Sequence, residues 1–104
     1  MGGALNPGLF NTVVNRLADL DAAARDWRQT RGSLPQWKTK VTPESGTVMN
    51  NPALSKARRF RSVSGQSAIF DWHARFGNNG RIHLRIDPAT TTIEVGYIGK
   101  HLPL

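Results

Sequence analysis

The sequence predicts an α+β fold in which an N-terminal helix and a second, short helix pack on a four-stranded antiparallel sheet. Apolar residues recur every three or four positions near the N-terminus, which is the period of a helix, and alternate from Phe60 onward, which is the period of a strand. The length of 104 residues fits one domain. We therefore expect a single domain, 1–104, with helical residues 1–31, a loop 32–51, a short helix 52–59 and a sheet 60–104.

The first helix is predicted over residues 8–29, with Pro7 near its first position, where a missing N–H has no cost, and Gly32 after its end. Its apolar residues form one stripe and are Phe10, Val13, Val14, Leu17, Leu20, Ala24 and Trp27. Such a stripe most often covers a sheet. A groove that receives a partner helix is the alternative.

Residues 32–51 contain Pro35, Pro43 and Gly46 without a sustained apolar period, and therefore predict a loop. A loop of this length is uncommon in a compact domain, which leaves open a short helix or strand within it, or a functional role. Asn51 followed by Pro52 is typical of a helix start, and predicts the short helix 52–59.

Alternation of apolar and polar residues predicts four strands, at 60–64, 67–76, 80–87 and 92–99. A one-residue slip would send every side chain to the other face, so the apolar faces select the register. A three-residue loop, 77–79, keeps those faces separate. It predicts the pairs Phe76–Gly80, Arg75–Arg81, Ala74–Ile82, His73–His83, Trp72–Leu84 and Asp71–Arg85. In the next hairpin we expect Ile86–Ile93, Arg85–Glu94, Leu84–Val95, His83–Gly96 and Ile82–Tyr97.

This register places five basic or imidazole side chains on one uncovered face: His73, Arg75, Arg81, His83 and Arg85. Arg75 opposite Arg81 is unfavourable without an anion. Two imidazoles beside guanidinium groups make a plausible acid and base pair at a phosphate, and Gly96 opposite His83 leaves room for a ligand. The alternative is a solvated sheet face whose charges balance and whose histidines are incidental.

The chain has 14 Lys and Arg against 7 Asp and Glu, a formal net charge of +7. Most of the excess lies in residues 32–66, where Glu44 is the one acidic residue. The densest basic cluster there comprises Lys56, Arg58, Arg59 and Arg61. It favours binding of a nucleic acid or another polyanion over a merely solvated face.

Cysteine is absent, which excludes disulfides and cysteine-based zinc sites, and no long apolar run predicts a membrane span. Since nothing in the sequence suggests export, we expect a cytoplasmic protein. We also expect it to use neither a metal nor another cofactor.

The strand Gly80-Arg81-Ile82-His83-Leu84-Arg85-Ile86-Asp87 and the later segment 92–101, TIEVGYIGKH, resemble the closing strands of RelE/ParE-like toxins. The resemblance is confined to the C-terminal half. It implies an antiparallel sheet after helical material, and an antitoxin partner. The RelE branch contains ribosome-dependent, metal-free mRNA endonucleases, and the ParE branch poisons gyrase. By position, the resemblance implies that Arg81 holds phosphate and that Lys100 and His101 are the basic pair after the last strand. The basic residues before the sheet match Arg58, Arg59 or Arg61 loosely.

The sequence thus favours a metal-independent ribonuclease that uses the 2′-hydroxyl as nucleophile, with RNA or the ribosome as partner. His83 with His73, or His101, would supply the base and the acid, and Arg81, Arg85 and Arg75 the cations on the phosphate. The alternative is a non-catalytic nucleic-acid- or protein-binding module. In it, residues 56–61 contact the backbone and the histidines are bystanders. A structural protein whose first helix docks on a partner is a third possibility.

Overall fold

The structure, a computed structural model, describes residues 7–102 and confirms the α+β fold. The helices are α1 (Pro7–Thr30), α2 (Gly46–Met49) and α3 (Pro52–Ala57). The strands are β1 (Val41–Pro43), β2 (Arg59–Arg61), β3 (Ser67–Ile69), β4 (Trp72–Phe76), β5 (Gly80–Asp87) and β6 (Thr92–Lys100). None of the helices within 7–102 is long and apolar enough to cross a membrane.

The four-stranded antiparallel sheet has the order β1-β4-β5-β6, and β2 and β3 form a separate two-stranded ribbon. Two strand predictions were therefore wrong. The predicted strand 60–64 lies in the ribbon, and its place in the sheet is taken by β1, from the predicted loop 32–51. The predicted strand 67–76 is interrupted at Phe70 and Asp71, where the chain leaves the ribbon and enters the sheet.

Helix α1 covers one face of the sheet with four buried residues: Val13, Leu20, Ala23 and Trp27. Val13 and Leu20 belong to one core cluster with the buried sheet residues Ala74, Phe76, Ile82 and Leu84. The predicted stripe was too wide at one side, because Phe10 is 58% exposed and Val14 is 45% exposed. The helix therefore buries a narrower face than its apolar residues suggest.

The segment between α1 and β2 is held by apolar anchors, which include Trp37, Val41 and Val48, and by two helix caps. Val41 enters the core from the edge strand β1, where Pro43 is tolerated because it needs no ladder N–H. The Ser45 side chain accepts from the N–H of Val48 at the start of α2. Asn51 caps α3 as predicted, accepting from two backbone N–H groups, but the helix ends at Ala57 rather than at 59.

The β4–β5 register agrees with all five pairs predicted from Trp72–Leu84 to Phe76–Gly80. Asp71 lies outside β4, so its predicted pairing with Arg85 was wrong.

The β5–β6 register agrees with the prediction at Arg85–Glu94, Leu84–Val95 and Ile86–Ile93. It then shifts by one residue, so that His83 pairs with Tyr97 and Ile82 with Ile98. The two pairs predicted there were wrong.

Gly96 is the extra residue of this β-bulge, and the Phe70 ring explains it. A Cβ at Gly96 would lie 2.7 Å from that ring, so only glycine fits without a local shift. The space that we expected a ligand to use beside His83 is therefore filled by Phe70.

The second face of the sheet is only partly open, whereas the sequence predicted an uncovered face. Phe60 from the ribbon stacks on Tyr97, with ring centroids 5.5 Å apart, and meets Phe70 edge-on at 5.9 Å. This small aromatic cluster covers part of the face opposite α1, and His83 lies beside it with 2% of its surface exposed.

Candidate functional site

An open pocket of about 320 Å³ lies on the sheet face opposite α1. Its polar lining includes side chains from β1, β4, β5 and the C-terminal end: Thr42, Glu44, His73, Arg75, Arg81 and His101. The pocket brings together three of the four predicted catalytic residues at its accessible wall, and the fourth, His83, lies at its buried floor.

Glu44 follows β1 and is the centre of the charge network in this pocket. Its Oε2 accepts from Nε of Arg58, and its Oε1 lies 2.9 Å from Nδ1 of His73. The Arg58 guanidinium also donates to the Leu54 carbonyl at 3.0 Å. The Arg58 side chain is only 2% exposed. Arg58 is thus a buried partner of Glu44, a position that does not fit the predicted contact with a nucleic-acid backbone.

The His73 imidazole lies between Glu44 and Thr42, and its Nδ1 is close to Glu44 without a hydrogen bond of good geometry among residues 7–102. Its Nδ1 faces Glu44, and its Nε2 lies 3.4 Å from Oγ1 of Thr42. A carboxylate next to Nδ1 favours the tautomer with the proton on that atom, which leaves the Nε2 lone pair free to accept a proton. Burial lowers the pKa of His73, and Arg81 and Arg75 lower it further, although Glu44 opposes them. The imidazole is therefore neutral near pH 7 and suited to act as a base.

His83 lies against His73, with ring centroids 5.8 Å apart. Burial lowers its pKa to about 4, an effect that Glu44 opposes and that His73 and Arg58 reinforce. Its Nδ1 has no hydrogen bond of good geometry among residues 7–102. Because so little of His83 reaches solvent, its position favours support of His73 over direct contact with a substrate. Its predicted catalytic role stays a prediction.

The buried His83 predicts a loss of stability in mild acid. Its pKa of about 4 lies below the unfolded value of 6.5, so the unfolded chain binds the extra proton between these values. The free energy of unfolding should therefore fall as pH drops from about 6.5 to 4, by at most about 3 kcal/mol from this group. Urea unfolding across that range should be less pH-dependent in His83→Gln. If the free energy of unfolding of His83→Gln depends on pH as steeply as that of the wild type, His83 is not the source of the acid sensitivity.

Arg75 and Arg81 stand directly opposite each other on β4 and β5, as predicted. Arg81 donates to the Gly80 carbonyl at 2.8 Å. Within residues 7–102, neither guanidinium forms an ion pair with a carboxylate. Burial and the neighbouring Arg75 both lower the pKa of Arg81. The charge of Glu44, in the same lining, opposes these effects on Arg81 without forming an ion pair with it. Two adjacent cations that no carboxylate pairs directly make this wall of the pocket favourable for an anion.

Arg85 belongs to a different cluster. Its Nε donates to Glu94 at 2.8 Å, its Nη2 donates to Ser62 at 3.3 Å, and its guanidinium lies over the Phe70 ring. Burial opposes ionisation of Glu94, but hydrogen bonds from the Val63 N–H, Ser62 and Arg85 outweigh it and lower the pKa of that carboxyl. Arg85 thus ties the ribbon to the sheet and is not one of the pocket's lining residues.

The remaining predicted binding residues are exposed. His101 lines the pocket, and its backbone N–H donates to the Asn79 carbonyl at 2.7 Å. The other four are exposed outside the pocket lining: Lys56, Arg59, Arg61 and Lys100.

Sequence reasoning missed Glu44 and Thr42 as site residues. Both lie in the segment predicted to be a loop, where a three-residue strand leaves no periodic signal. The available signal was charge, because Glu44 is the one acidic residue in an otherwise basic stretch, 32–66. A carboxylate isolated among cations is typical of a specific ion pair.

Comparisons with protein-family models, with curated proteins and with solved structures gave no match. In the part of the chain that the structure describes, no group of three or more His, Asp or Glu side chains is placed to hold a metal ion. The function is therefore argued from the pocket itself.

Proposed function

We propose that this chain is a metal-independent endoribonuclease of the RelE-like type, a toxin that cleaves mRNA and pairs with an antitoxin. The observation that carries the proposal is the juxtaposition in one pocket of the Glu44–His73 pair with the unpaired Arg75 and Arg81. A neutral imidazole that a carboxylate orients, next to two free guanidiniums, is suited to transfer a proton at a bound phosphate diester. The resemblance of the closing strands points to the same reaction.

In the proposed reaction, Arg75 and Arg81 bind the non-bridging oxygens of the scissile phosphate. Nε2 of His73 takes the proton of the neighbouring 2′-hydroxyl, and the resulting oxygen attacks phosphorus. The bond between phosphorus and the 5′-oxygen breaks, and His101 donates a proton to that oxygen. The products are a 2′,3′-cyclic phosphate and a 5′-hydroxyl, so atoms and charge balance. Because the nucleophile is a 2′-hydroxyl, DNA is not a substrate.

The exposed cations outside the pocket give this enzyme a basic surface for a larger RNA partner. Lys56, Arg59, Arg61 and Lys100 form no ion pair with a carboxylate of residues 7–102. We propose that they contact the phosphate backbone of mRNA or of the ribosome, and that the protein acts in the cytoplasm.

The test is cleavage of RNA, alone and on translating ribosomes, by the wild type and by Arg81→Ala. Loss of one cation at the transition state is expected to slow cleavage about 10²-fold or more. Arg28→Ala removes an exposed charge from α1, on the far side of the sheet, and serves as the matched control. The proposal predicts a cyclic phosphate product and no cleavage of DNA. Equal rates in Arg81→Ala and the control would remove the pocket from the reaction.

A non-catalytic nucleic-acid-binding module is the second candidate, favoured by the exposed, unpaired Arg59 and Arg61 on one side of the ribbon strand β2. In that case binding weakens steeply with salt, no product forms, and Arg59→Ala reduces the salt dependence more than Arg81→Ala. These outcomes separate the module from the enzyme.

A further inference from the structure

A second groove, of about 230 Å³, adjoins the pocket next to His73. It is lined by Arg16, Thr39, Lys40, Thr42, His73 and Arg75. Thr42, His73 and Arg75 line both cavities, so the groove and the pocket adjoin at these three residues. A ligand that reaches His73 from the pocket can therefore continue into the groove.

The groove carries three cations and no acidic side chain in its lining: Arg16, Lys40 and Arg75. Nε of Arg16 donates to the backbone carbonyl of Arg75 at 3.2 Å, which links α1 to β4 at this point. Within residues 7–102, neither Arg16 nor Lys40 forms an ion pair with a carboxylate. Such a lining favours an anion over any other ligand.

The competing explanation for the cationic lining is ordinary solvated surface charge. That explanation accounts well for an isolated exposed lysine such as Lys38. It accounts less well for Arg16. This side chain is partly buried, and its one hydrogen bond to the described protein holds the guanidinium against the backbone carbonyl of Arg75. The same lining contains Lys40 and Arg75 and no carboxylate. Gathering like charges in one groove is unfavourable without a counter-ion.

We infer that the groove is a second phosphate subsite, which binds the backbone phosphate adjacent to the scissile one. The ligand is single-stranded RNA with at least two consecutive phosphates, because one strand can pass from the pocket across His73 into the groove. Cationic grooves that follow the backbone of one strand are a common mode of single-strand binding. This inference rests on the proposed function and adds the length and strandedness of the substrate.

The experiment measures the affinity of short 2′-O-methyl oligonucleotides that carry one, two or three phosphates, which the enzyme cannot cleave. For the wild type we expect about a tenfold gain in affinity from one phosphate to two, since a charge-assisted contact is added. The salt slope should steepen by about 0.7 per added phosphate contact. Lys40→Gln and Arg16→Gln should reduce the gain in affinity from one phosphate to two, and should leave binding of the one-phosphate ligand unchanged.

Two controls separate charge from folding. Lys38→Gln removes an exposed charge two residues from Lys40 and outside the lining of both cavities, and should keep the wild-type gain. Arg16→Lys keeps the charge and should retain the salt slope. A wild type without the gain, or variants that keep it in full, would overturn the second subsite. Cleavage of mRNA is scored separately, so a gain without cleavage refutes the enzyme alone, and cleavage without a gain refutes the subsite alone.

Discussion

Replacing His73 with alanine is expected to slow RNA cleavage by about 10²–10⁴-fold, the usual contribution of a well-placed general base. The reason is geometric: His73 is a partly accessible imidazole beside Glu44, and it lines both the pocket and the basic groove. The rate should be measured in single turnover, with affinity for a 2′-O-methyl oligonucleotide measured in parallel. Affinity should be retained, because the proposed reaction assigns phosphate binding to Arg75 and Arg81 and not to His73.

Glu44→Gln tests the orientation of His73 by its pH profile. The carboxylate raises the pKa of His73 against the effect of burial, so its removal lowers that pKa further. Cleavage needs the neutral imidazole, and the acidic limb of the rate profile should therefore move to lower pH. The maximal rate should fall as well, since Nδ1 loses its charged partner. An unmoved acidic limb, or a His73→Ala enzyme with normal turnover, would exclude His73 as the base.

The site's central hairpin could be predicted from the sequence because its two faces differ sharply in polarity. Apolar Ala74 and Ile82 had to face the core, and this alone set Arg75 opposite Arg81. Choosing the register from the apolar faces failed at Gly96. The β-bulge there depends on the tertiary contact with Phe70, which cannot be inferred from the periodicity of β6.

The break in the predicted strand 67–76 has a similar cause. Phe70 and Trp72 keep the spacing of a continuous strand, and in one strand they would share a face. Instead Phe70 packs with Phe60 on the face of His83, whereas Trp72 packs with Trp37 on the side of the core. Apolar and polar residues do alternate through 67–76. Backbone hydrogen bonds from Phe70 to Arg58 and from Glu44 to Asp71 nevertheless place the two parts of this segment in different sheets. Long-range pairings of this kind leave no local signal, and they are what brings Glu44 to His73.

Breaking the Glu44–Arg58 pair is expected to have the largest effect on stability. Both side chains are buried, at 6% and 2% exposure, so either one left alone is an uncompensated charge in the interior. Removing one partner of such a pair typically costs about 3–5 kcal/mol. That is a large share of the roughly 5–15 kcal/mol that holds a domain of this kind folded. Arg58→Met should therefore lower the urea midpoint strongly, whereas Arg59→Met, at the exposed next position, should change it little.

The double variant Glu44→Gln/Arg58→Met distinguishes a charge penalty from lost packing. Replacing both partners removes the buried ions together, so the double variant should be more stable than Arg58→Met alone. It should nevertheless cleave RNA more slowly than the wild type, as Glu44→Gln does, because His73 no longer faces a carboxylate. A double variant that is less stable than both single variants would mean that Glu44 and Arg58 act through separate contacts. In that case the charge network would not be the element that joins the ribbon, β1 and the imidazole into one site.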